Sequence, residues 1–68
     1  MWQIGDSVLI SPNLTMCETW ISGVVIDVEN NPYRGIVISA QTTDRNIFFS
    51  VEEDFKLLVQ KDSEQSNN

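Results

Sequence analysis

Apolar and polar residues alternate most clearly between Gly35 and Gln41, where Ser39 and Gln41 interrupt a run of Ile, Val and Ala. In a strand, successive side chains point to opposite faces. The polar pair therefore assigns Ile36, Ile38 and Ala40 to an interior face. "GVVIDVEN" follows the same rule, with Asp27 and Glu29 on odd positions and Val24, Ile26 and Val28 on even ones. The even positions are expected to face the core, which leaves Val25 outward. Gly23 marks a bulge that resets the phase for Trp20 and Ile21. Upstream, Gly5-Asp6 is a turn and Ser7–Ser11 a strand, with Val8 and Ile10 inward and Ile4 plugging one end of the core. In "NIFFSV", Ile47, Phe49 and Val51 share one face, assigned to the interior, and Phe48 and Ser50 share the other.

Between these runs the chain carries turn chemistry. Pro12 and Asn13 stop the first strand, because Pro cannot donate to a ladder. "PNLTMCET" reads as a loop with at most one helical turn, folded back so that Leu14, Met16 and Cys17 cover the core. "ENNPYRG" is a turn. "TDRN" turns the chain through a longer loop built on a type I turn, with Asn46 in the left-handed position because Arg45 is a poor occupant of positive φ. "EEDF" predicts a single helical or 3₁₀ turn, with Ser50 as N-cap and Glu53 completing a capping box. "KLLV" is the closing strand. The polar segment 60–68 lacks large apolar residues and is expected to be a disordered tail.

The expected architecture is all-β: a five-stranded small barrel over residues 1–59, with one short helical turn before the last strand. A chain of 68 residues holds a single domain. At that size only roughly 60% of the extended-chain surface is buried, so most large apolar residues are needed for structure.

Charge narrows the partners. Four Lys and Arg face ten Asp and Glu, for a net charge of −6, and the chain has no His. Phosphate and anionic membrane surfaces are repelled at long range. A basic protein suits the balance better. Cys17 is the single cysteine, so neither an intramolecular disulfide nor a cysteine-rich metal site can form within one chain. "MWQIGD" lacks the basic and apolar regions of a signal peptide, and Asp27 cuts the apolar run "GVVI". A cytoplasmic location is the expectation.

The order "GDSVLI", "NLTMCET", "ISGVVIDVE" and "VEEDFKLLV" resembles the SH3-like small β-barrels: first strand, long loop, second strand, then helical turn and closing strand. It covers roughly Ile4 to Val59. The opening looks like that of KOW-type domains and of the small accessory barrels of photosynthetic electron-transfer complexes. KOW-type domains imply RNA binding through basic residues, which are scarce here. The accessory barrels imply docking of an acidic ferredoxin on basic surface, whereas this chain is acidic. The long loop also lacks the Tyr-rich groove of eukaryotic SH3 domains.

Candidate chemistry is thin. Without His, and with no base near Cys17 in sequence, a catalytic set is hard to build; Ser and Thr have no evident partner, and no phosphate-binding Gly loop is present. Glu52, Glu53 and Asp54 match no calcium loop and read as a solvated turn, acidic at its N-terminus. No cofactor or metal is expected, and the chain is not expected to be an enzyme. By parity Val25, Val37 and Phe48 form an outward apolar stripe across three strands, joined by Tyr33 and Trp20 at strand ends. These five residues are the candidate partner-binding set, since exposed apolar stripes and aromatics mark interfaces. The expected function is a non-catalytic protein-interaction or accessory module. The alternative is a KOW-like nucleic-acid-binding regulator using Arg34 and Arg45. A homodimer through the stripe or a free strand edge is a further expectation.

Overall fold

The computed structural model describes residues 2–58. Its strands are β1 (Ser7–Ile10), β2 (Ile21–Asn31), β3 (Gly35–Gln41), β4 (Ile47–Val51) and β5 (Phe55–Leu57). A short helix, α1 (Pro12–Thr15), follows β1, and a 3₁₀ turn (Glu52–Asp54) precedes β5. All pairings are antiparallel, and the strands lie in the order β4-β3-β2-β1-β5. No ladder joins β4 to β5, so the sheet is not closed into a barrel. The expected tail at 60–68 lies outside the described residues.

Directly paired residues share a face, so the register identifies the interior. Val8 and Ile10 pair with Gly23 and Ile21 on one side and with Leu57 and Phe55 on the other. Val25, Ala40 and Phe48 form the next row, and Val28, Ile38 and Ser50 the one after. The buried core is Val8, Ile10, Val25, Ile38, Ala40 and Phe55, with Trp2, Leu14, Ile21, Val28, Ile36 and Phe48 packed against it. Gly23 is required by space rather than by conformation. A Cβ there would meet Ile10 Cδ1 at 2.9 Å and the Gln41 carbonyl oxygen at 3.0 Å.

The parity of β1 and β3 is as the sequence predicts, but β2 and β4 depart from it. The bulge in β2 lies between Val25 and Asp27, not at Gly23. An extra residue reverses the facing of everything before it. Val28 therefore faces inward as expected, while Val25 is core at 1% exposure and Val24 is outward. In β4 the assignment is inverted throughout: Phe48 packs on the core, and Ile47 and Phe49 are 54% and 65% exposed.

The turns follow local hydrogen bonding. Ser11 Oγ caps α1 by accepting from the Asn13 N–H, and Pro12 occupies the first helical turn, where no N–H is needed. Leu14 reaches the core, whereas Met16 and Cys17 are exposed and do not cover it. In the β2–β3 turn Asn31 Oδ1 accepts from the N–H groups of Tyr33 and Arg34 at 2.8 and 2.9 Å. The β3–β4 loop is a tight turn closed by Arg45 N–H to the Thr42 carbonyl and Thr42 N–H to the Asn46 carbonyl. Arg45, not Asn46, takes the left-handed position, with φ 70°. Asn46 is instead tied back by its N–H to Thr42 Oγ1. Ser50 does not cap the 3₁₀ turn; its hydroxyl donates to Asp54 Oδ2 at 2.6 Å. Ile4 is exposed rather than a core plug, because it stands at the corner of a turn closed by Asp6 N–H to the Gln3 carbonyl.

Candidate functional site

Residues opposite the core rows make up the outer face. One row runs Ile47, Gln41, Val24 and Ser7 across β4, β3, β2 and β1. The next runs Phe49, Ser39, Asp27, and the third Val51, Val37, Glu29. Ile47, Phe49 and Val51 thus form an apolar lane along β4, two strands away from an acidic lane of Asp27 and Glu29. Ser39 and Val37 separate the lanes in β3. The apolar lane continues past Gln41 into a groove of about 440 Å³ whose walls include Val24, Ser7 and Leu58. A second hollow of about 400 Å³, lined by Trp2, Val28, Ile36 and Glu52, opens elsewhere. Trp2 is held there by donating Nε1–H to Glu52 Oε1 at 2.9 Å.

The sequence-derived candidates separate. Val37 lies on the outer face between Glu29 and Val51. Tyr33 stands in the β2–β3 turn at 94% exposure. Trp20 is half-buried, and Lys56 Nζ lies 4.5 Å from its ring centroid, a cation–π contact that covers part of the ring. Val25 and Phe48 are on the inner face, so neither belongs to a surface stripe. Ile47, Phe49, Val51 and Val24 replace them. The reason is the loop length, which the Thr42–Asn46 backbone pair sets at three residues. A three-residue hairpin loop pairs odd positions with odd, so an outward Ser39 and Gln41 require an outward Phe49 and Ile47.

Among the described residues, no group of three His, Cys, Asp or Glu side chains gathers to hold a metal ion. Cys17 is exposed, and its Sγ lies 3.8 Å from the Thr15 carbonyl oxygen. Arg34 and Arg45 occupy successive hairpin turns, and such turns fall at opposite ends of the strand they share. They do not form one basic track. Among the described residues no helix is long and apolar enough to cross a membrane. The chain matches no protein-family model, no curated protein and no solved structure.

Proposed function

We propose that this protein is a non-catalytic interaction module of the SH3-like type, whose outer face receives a protein segment carrying apolar side chains beside Lys or Arg. The strand order β4-β3-β2-β1-β5 and the 3₁₀ turn before β5 support the SH3-like reading. The carrying observation is the exposure of Ile47 and Phe49 on the same face as Asp27 and Glu29. Covering an exposed apolar lane releases water. The acidic lane and a net charge of −6 select a basic partner and speed its arrival. Tyr33, in the turn next to this face, is a further contact.

The test is photo-crosslinking from position 49 in the source cells, followed by affinity measurement with the captured protein. Phe49→Ser and the Asp27→Lys/Glu29→Lys pair should each weaken binding by about tenfold or more. A captured protein whose affinity ignores all three substitutions contradicts the site. Salt-sensitive capture of RNA in its place would favour a nucleic-acid-binding regulator.

A further inference from the structure

The two edges of the sheet are unlike. β5 is a three-residue strand with Lys56 at its centre, the short and charged design that discourages pairing with another chain. β4 is longer, reads Ile-Phe-Phe-Ser-Val, and has neither charge nor proline. Its hydrogen-bonding phase follows from the hairpin. Thr42 N–H donates to the Asn46 carbonyl at 2.9 Å, so bonded pairs recur at Ala40–Phe48 and Ile38–Ser50. The N–H and C=O groups of Ile47, Phe49 and Val51 then point away from β3. Among the described residues, no backbone bond from a turn, loop or cap reaches them.

We infer that this edge pairs with the same edge of a second copy of the chain, antiparallel and centred on Phe49. That register is self-complementary, as a two-fold interface requires. Phe49 faces Phe49, and Ile47 faces Val51. Every edge-directed group of these residues meets a partner of opposite kind. The ends match as well: the Arg45 end of one β4 meets the other copy's Glu52–Glu53 end, and Arg45, Glu52 and Glu53 are all exposed. This local match offsets part of the repulsion between two chains of net charge −6. The two Phe49 side chains would lie side by side on the outer face, where aromatic cross-strand pairs are favourable. This inference goes beyond the proposed interaction module. Edge pairing consumes backbone groups and leaves the outer face open, joining two apolar lanes into one platform.

Sedimentation velocity on the full chain across a concentration series tests it. The wild-type chain should sediment as a monomer–dimer equilibrium. Phe49→Lys and Phe49→Glu should each weaken self-association by about tenfold or more, because like charges would face each other across the axis. An equimolar mixture of the two variants should recover a dimer, since position 49 meets itself. A wild-type chain that stays monomeric overturns the inference, and so does a mixture that fails to pair. Hydrogen exchange on the unmodified chain gives a readout free of substitutions. Protection of the Ile47, Phe49 and Val51 amides should rise with protein concentration, and concentration-independent protection would mean that the chain's own residues cover the edge. Failure of self-association leaves binding of a basic partner on the outer face measurable separately.

Discussion

Phe48 lies opposite Ala40 and packs on the core, whereas Phe49, one residue on, lies opposite Ser39 and is mostly exposed. The same side chain on the same strand thus stabilises the fold in one position and is free for a partner in the other. What separates them is register, not hydrophobicity. The inner row is continuous from β4 to β2 through Phe48, Ala40 and Val25, and fully burying a side chain the size of Val25 is worth about 1.5–3 kcal/mol. On the outer face Ser7, Gln41, Ser39, Asp27 and Glu29 interrupt the apolar residues, so it never becomes a second core.

Substitutions sharpen this contrast in descending order. Phe55→Ala, at the inner end of β5, should have the largest effect, about 3–5 kcal/mol, enough to leave so small a domain largely unfolded in urea titrations. Next, Phe48→Ala should cost roughly 2 kcal/mol and Phe49→Ala no more than about 0.5. Equal costs for the two phenylalanines would erase the distinction between the faces. Gly23→Ala is expected to lose about 1–3 kcal/mol by pressing on Ile10 and the Gln41 carbonyl. Combining it with Ile10→Val should cost less than the sum of the two single changes, and strict additivity in a double-mutant cycle would deny the contact. Asn31→Ala removes the acceptor of two turn N–H groups and should cost about 1 kcal/mol in thermal denaturation. Smallest is Arg45→Gly, which should raise stability by about 0.5–1 kcal/mol by relieving a positive φ, while weakening self-association.

The sequence makes β1 and β3 legible because polar residues in or beside them fix which face is wet. In β3, Ser39 and Gln41 leave only Ile36, Ile38 and Ala40 for the interior. β4 offers a weaker cue: three apolar residues on one parity against Phe48 and Ser50 on the other. Counting apolar residues favours the wrong face, and only pairing across the hairpin reverses it. In β2 the charges Asp27 and Glu29 place Val28 correctly, but the inference fails when carried back through the bulge to Val24 and Val25. Gly23 invites a bulge reading, yet its smallness serves the close approach of Ile10 and Gln41. The candidate surface inherits these errors. Tyr33 and Val37 are exposed or outward as expected, while Val25 and Phe48 exchange roles with Val24, Ile47 and Phe49.

Both surfaces depend on the pairing of β3 with β4, and nuclear Overhauser contacts between the α-protons of the two strands decide it. Facing α-protons come closest in non-hydrogen-bonded antiparallel pairs. Cross-peaks should link Ser39 with Phe49 and Gln41 with Ile47. Cross-peaks that instead join Phe49 to Ala40 or Ile38 would turn Phe49 inward and remove both the interaction surface and the self-complementary edge.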